Sequence, residues 1–254
     1  MKRFLLLVAL GLAPHFALAQ PQPPAPNTPK FKISPENMRS VALIGAFYNN
    51  IQRAKSYNGH LVMRKTQTVD DKVVLEKIVD CKSAWLAKGD GYVDKRRVEA
   101  LYTETAEGKK SSKDVLIVDD GETTHHFLKM RNVWSKQPHD KEDSDIVQIV
   151  SFAMWTTLLL AFDQGAEFTT QHRTLDDKST QLVVSSGKGI VFVLDEKTGL
   201  LQNWRIENNN GETTEIRFNY LDINLPVPAA AFVWKQPEDA KQVGPEETEQ
   251  KVEF

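Results

Sequence analysis

The chain has a single cysteine, Cys81, among its 254 residues. One thiol excludes an intramolecular disulfide, a cysteine-built zinc site and any mechanism that needs paired thiols. Excess charge of either sign is also scarce, with 32 basic against 34 acidic residues and a net charge of −2. Without a basic surplus to neutralise phosphates, nucleic acid is not an expected partner. Catalytic patterns are missing as well. There is no G-x-S-x-G element, and Ser185-Ser186-Gly187-Lys188-Gly189 lacks phosphate-loop spacing and leads into a β pattern rather than a helix. Asp119-Asp120-Gly121 has the character of a turn, since the other ligand positions of a calcium loop are absent. His125 and His126 are neighbours on an expected strand, so they point to opposite faces and cannot share an ion through one of them. Cys81 falls on the apolar face of its strand. Neither an enzyme, a metal nor a cofactor is expected.

The chain does have enough apolar material for a sizeable core: 41% of residues are hydrophobic and 26% charged, too little polarity for a chain disordered throughout. Lys2 and Arg3, an apolar run over residues 4–12 and the small-residue triplet Ala17-Leu18-Ala19 read as a signal peptide over residues 1–19. Cleavage before Gln20 predicts a periplasmic protein, soluble because Gln20 stands where a lipid-anchored chain has cysteine. Residues 20–31 follow as an extended linker with prolines at 21, 23, 24, 26 and 29. Residues 238–254, rich in Glu, Gln and Lys, read as a mostly disordered tail; the expected folded domain covers residues 32–244, with the charged, disordered residues 245–254 beyond it.

Within the domain, Ser34 can cap a helix over residues 35–54, with Pro35 in its first turn and Val41, Ile44, Phe47, Tyr48 and Ile51 at helical spacing. Alternating patterns then predict strands over 57–69, 73–85, 92–103, 114–118 and 123–134, and later over 189–194, 201–207 and 213–223. In the strand read over 123–134, Leu128, Met130 and Trp134 share a face; Ile216, Phe218 and Tyr220 do so in the last strand. Turns such as Asn208-Asn209-Asn210-Gly211 join sequential strands, which makes neighbours antiparallel. About ten strands in one chain point to a strongly curved sheet or incomplete barrel. Between the halves, residues 145–162 carry no charge after Asp145. This segment reads as a core helix, a helix covering a cavity, or a marginal membrane span, and composition does not separate the three.

The closing third, VFVLDEKTGLLQNWRIENNNGETTEIRFNYLDINLPVPAAAFVWKQPEDAKQV, has a strand, a D-x-x-T-G turn, two hairpin strands and then Asn224, Pro226, Phe232, Trp234 and Pro237 in an N-x-P…F-x-h-x-x-P pattern. With the order of elements before it, this ending resembles the periplasmic lipoprotein carrier family, the LolA/LolB-like group. The resemblance implies an α+β fold, mainly antiparallel β: a strongly curved half-open β-barrel with helices over its concave face. It further implies an apolar cavity for the acyl chains of a lipoprotein or similar amphiphile, with an inner-membrane releasing complex and an outer-membrane receptor as partners of a monomeric carrier. The alternating pattern puts Leu61, Met63, Leu75, Val79, Trp85, Met130, Ile216 and Phe218 on that face, with Met154 and Trp155 on the covering helix. Flexible Met63, Met130 and Met154 suit a cavity for variable chains, although a filled core accounts for them equally. The family's early-strand Arg-Pro latch is not matched: the stretch here is Ala87-Lys88-Gly89-Asp90-Gly91, so no latch residue is assigned. The alternative role on the same scaffold is a non-catalytic sensor or interaction module that monitors envelope lipid or lipoprotein status.

Overall fold

The computed structural model describes residues 34–88, 92–140 and 146–248; the expected signal peptide, the Pro-rich linker, Gly89, Asp90, Gly91 and residues 249–254 lie outside them. Helix α1 (Pro35–Gln52) starts where Ser34 Oγ accepts from the Asn37 amide at 3.1 Å, and Pro35 sits in the first turn, where an N–H would have no helical partner anyway. Ile44, Phe47 and Ile51 line its buried side. The chain then forms β1 (Ser56–Val69), β2 (Lys72–Lys88), β3 (Tyr92–Ala106), β4 (Lys109–Asp119), β5 (Thr123–Leu128) and β6 (Val133–Pro138). Helix α2 (Ile146–Asp163) separates these from β7 (Phe168–Thr174), β8 (Thr180–Ser186), β9 (Ile190–Asp195), β10 (Leu201–Glu207) and β11 (Glu212–Ile223). A short β12 (Lys241–Gln242) and the single-turn α3 (Pro245–Thr248) follow.

All twelve strands belong to one sheet, in the order β12-β6-β5-β4-β3-β2-β1-β11-β10-β9-β8-β7. The hairpins before α2 and those after it are joined by antiparallel pairing of β1 with β11. Among the described strands, only β12, laid along β6, is parallel to its neighbour. The sheet is curved and unclosed, and both long helices pack on the same face; this is the α+β half-open barrel expected from the sequence. Bulges help it bend. Leu61 faces Phe218 whereas His60 faces Tyr220, leaving Asn219 as the extra residue on β11.

The recognisable closing motif is largely turn chemistry. Asp195 Oδ1 accepts from both the amide and the hydroxyl of Thr198 at 2.7 Å, and Gly199 takes φ 68°. Asn224 Oδ1 accepts from the Lys55 amide at 2.7 Å, tying the end of β11 to the entry of β1. At Gly211, φ is 79° and an added Cβ would run into the Thr68 carbonyl, which leaves glycine as the residue that fits.

Four sequence expectations are corrected. The strand read over 123–134 is two strands, with Lys129–Arg131 forming a 3-10 turn and Asn132 in the left-handed region at φ 50°. Leu128 pairs with Val133, so the four intervening residues reverse the alternation: Leu128 faces the concave side and Trp134 the convex side. Met130, in that turn, is 66% exposed and lies off the concave face altogether. Tyr220 leaves the face of Ile216 and Phe218 because the bulge at Asn219 shifts the register by one residue. The tail is ordered as far as Thr248: Ala240 packs with Phe127 and Trp134, Val243 N donates to Trp134 O at 2.8 Å, and the Thr248 hydroxyl meets Ser135. β7 and β8 were also absent from the sequence reading, their runs being short and rich in Thr, Gln and Ser.

Removing residues 238–254 strips β12 from the edge at β6 and uncovers Phe127 and Trp134. The truncated protein should melt several degrees lower and aggregate sooner on heating, as followed by circular dichroism and light scattering; unchanged melting would refute a structural role for this tail.

Candidate functional site

The concave face is assembled by strand register. Leu61 and Met63 on β1 stand between Cys81 and Val79 on β2 and between Phe218 and Ile216 on β11. Trp85 lies opposite Tyr57, with the rings stacked at 5.1 Å. Leu61, Met63, Val79, Trp85, Ile216 and Phe218 thus share one face and are all buried. Leu75 follows the same alternation but pairs with Gln67 toward the hairpin tip, outside the core cluster and half-exposed. From α2, Met154 is fully buried against this face. Trp155 is half-buried and stacks on Tyr48 of α1 at 5.7 Å, next to Gly45. The structure therefore brings eight of the ten sequence-derived residues into or against one cluster, leaves Leu75 at its edge and excludes Met130. At their centre, side chains of α1, α2 and the sheet fill the space between helices and strands.

Open space lies farther along α2. A cleft of about 410 Å³ opens between the helix's C-terminal half and the ends of the later hairpins. Its apolar wall is made by Leu160 and Ala161 on α2, Ile190 on β9 and Ile206 on β10, with Thr157 and Thr214 beside them. Ile190 and Ile206 are direct cross-strand partners, which aligns their side chains. The rim is polar and internally paired: Lys188 Nζ donates to the Gln164 carbonyl at 2.7 Å, and Lys65 Nζ lies 3.2 Å from Glu212. Sequence reading missed this cleft. Ile190 and Ile206 were legible as alternating strand residues, but nothing local showed that α2 stops short of covering them.

The polar groups on the concave side are buried and closely partnered. Asp119, at 0% exposure, accepts from the Thr124 hydroxyl at 2.8 Å and the Gly121 amide at 3.0 Å, and meets His139 Nδ1 at 2.9 Å. His126 sits beside Gln137 at 3.2 Å; burial, reinforced by the Arg96 guanidinium, pushes its pKa down to about 4. Burial likewise pushes the Tyr102 phenol up, with Cys81 nearby adding to the shift. Both groups are neutral at pH 7. His125 takes the other face of β5 and stacks on Trp234 at 4.8 Å, so the two histidines diverge as strand geometry requires. Among the described residues, no group of three or more His, Cys, Asp or Glu side chains could hold a metal ion.

No family model matches the sequence, and no curated protein matches it. Among solved structures the chain is similar to LprF from Mycobacterium bovis, at 12% identity and a TM-score of 0.41, covering 80% of this chain and 98% of that one. It is similar to a LolA superfamily protein from Nitrosomonas europaea at 7% identity and a TM-score of 0.27, covering 76% and 96%. It is also similar to the MucA/MucB complex of Pseudomonas aeruginosa at 13% identity and a TM-score of 0.34; this covers 77% of the present chain and 61% of the matched one. One of these neighbours bears the name of the superfamily that the closing motif resembles. With all three scores below 0.5, they assign this chain no ligand and no residue role.

The packing separates the two methionines sharply. Met154→Ala should cost about 2–5 kcal/mol in urea unfolding, whereas Met130→Ser should fall within about 0.5 kcal/mol of the parent. His126 generates a pH dependence. Its folded pKa lies below its unfolded value, so between about 4 and 6.5 the unfolded chain binds more protons and stability falls as pH drops through that window. Between pH 7.5 and pH 5 the loss should be on the order of 2 kcal/mol in urea titrations, and His126→Gln should flatten most of it.

Proposed function

We propose that the protein binds the hydrocarbon part of an amphiphile, such as the acyl chains of a lipoprotein, in the cleft beneath the C-terminal half of α2. The cleft carries this reading: Leu160, Ala161, Ile190 and Ile206 give it one apolar wall within a polar rim, its volume of about 410 Å³ lies within the range of about 300–1,000 Å³ usual for ligand sites, and the charged rim residues Lys188, Glu207 and Glu212 already have partners. Each CH₂ moved from water into such a wall contributes about 0.8 kcal/mol, so a chain with several methylene groups needs no fixed polar contact. Longer chains reach past the cleft toward Met154 and Leu158, and they lodge there by displacing α2 from the concave face. That helix suits such a movement. Its buried side is apolar, and its polar ties include Gln52 Nε2 to Ser151 Oγ at 3.3 Å and the contact of Lys188 with its C-terminal end. The signal-peptide pattern and the absence of cysteine at position 20 support action in the periplasm as a soluble, monomeric carrier that moves such chains toward the outer membrane. An inner-membrane releasing complex and an outer-membrane receptor complete that scheme.

Native mass spectrometry of protein taken from the periplasm should show an adduct in the mass range of a lipid or acylated peptide. In solution, Thr157→Phe, which fills the cleft from a half-buried position, should weaken capture of a fluorescent fatty acid roughly tenfold or more while leaving melting nearly unchanged. Unaltered capture in that variant would refute the cleft as the site. Recovery of a membrane-anchored regulator with no lipid bound would favour the sensor role instead.

A further inference from the structure

We propose that the outward ridge of α2 docks the protein on a lipid bilayer, with the helix lying in the interface and not spanning it. Phe152, Thr156 and Leu159 stand four and seven residues apart, on one line along the helix. Phe152 is 56% exposed, Leu159 45% and Leu160, on the flank, 48%. These are large apolar side chains in water on a helix that carries no charge from Ile146 through Phe162. Thr156 adds no polar demand, because its hydroxyl donates back to its own helix, lying 3.1 Å from the Phe152 carbonyl and 3.0 Å from that of Ala153. A protein partner would be offered no hydrogen bond by this ridge. Hydrocarbon needs none.

Charge points the same way. Helix α1 runs antiparallel to α2, with Tyr48 against Trp155 and Gln52 against Ser151, and it too is uncharged from Ser40 through Gln52. Exposed Arg39, whose guanidinium also lies 3.2 Å from His172 Nε2, and exposed Arg53 stand at the two ends of that stretch. Fourteen helical residues place them about 21 Å apart. Apart from exposed Asp163 where α2 ends, one turn beyond Leu159 on the same line, this two-helix layer is uncharged, and Arg39 and Arg53 at its two ends complement anionic headgroups around an apolar membrane interior. The other side of α2 decides between lying on the membrane and crossing it: Val150, Met154 and Leu158 are fully buried in the core, and a spanning helix would have to abandon them. Leu160 is both on the ridge's flank and in the cleft wall, so docking would bring the cleft mouth to the level of the acyl chains. This surface goes beyond the proposed ligand site and does not depend on what the cleft holds.

Co-sedimentation of the mature protein with vesicles of phosphatidylethanolamine and phosphatidylglycerol, in a roughly 3:1 ratio, tests the proposal. The double variant Phe152→Gln/Leu159→Gln changes exposed positions outside the cleft wall and should lower partitioning roughly tenfold or more, with its melting and fatty-acid capture retained. Arg39→Gln/Arg53→Gln should weaken binding to these vesicles but not to pure phosphatidylcholine. Thr157→Phe should lose fatty-acid capture yet still bind vesicles, which distinguishes failure of the cleft from failure of the ridge. Failure of the parent protein to bind vesicles, or equal binding by the ridge variant, would overturn the proposal. So would a dimer in sedimentation velocity that the ridge variant dissolves, since the ridge would then be a contact between copies of this chain.

Discussion

One constraint organises this molecule: α2 is apolar on nearly every side and has to be covered. A helix with one apolar stripe can rest on a flat sheet, but an all-round apolar helix calls for a concave surface. The sheet provides it by bending, helped by register slips such as the one at Asn219. The early and late hairpins would form two separate sheets if β1 did not pair with β11. Their union lets Leu61, Met63 and Ile216 face the same helix, and Phe47 of α1 reach Phe218 at a ring distance of 6.4 Å.

Coverage is uneven along that helix, and this is what makes a site. Toward its N-terminal half, Val147, Val150 and Met154 are packed to completion against the sheet and α1. Toward its C-terminal half, the hairpin ends at Ile190 and Ile206 stand off and leave the cleft. The outward ridge is covered by nothing within the described residues of this chain. A single helix thus presents a filled core, an apolar cleft and an exposed apolar edge in adjoining sectors. Ionisable side chains on the concave face fit the same scheme: His126 and Tyr102 are kept neutral by burial, while the carboxylate of Asp119 is enclosed by hydrogen-bond donors.

The closing motif has a plain physical content. Asp195, Thr198 and Gly199 build one turn, Asn224 fastens the end of β11 to the start of β1, and Trp234 stacks on His125 on the convex side. These residues specify how the sheet is folded and fastened. None of them lines the cleft. A family resemblance carried by such residues therefore speaks to architecture, and the ligand has to be argued from other positions.

What the sequence determined by itself was whatever depends on near neighbours along the chain. The cap at Ser34, the helical spacing of Ile44, Phe47 and Ile51, the alternation through Leu61 and Met63, and the hairpin turns at Asp195 and Gly211 are local, and they located both long helices and the longer strands. The face taken by each histidine of the pair 125–126 followed from strand geometry alone. Tertiary structure decided what depends on register and on distant partners. Four residues between Leu128 and Val133 put Trp134 on the other face and Met130 into solvent, and one extra residue at Asn219 turned Tyr220 outward. The tail became a strand because Phe127 and Trp134 offered an apolar shelf that no charged, proline-containing segment announces. The cleft, too, exists only where α2 and two consecutive later hairpins fail to meet. A gap between elements is a property of their relative placement, and a side-chain pattern with a period of two or 3.6 residues carries no record of it.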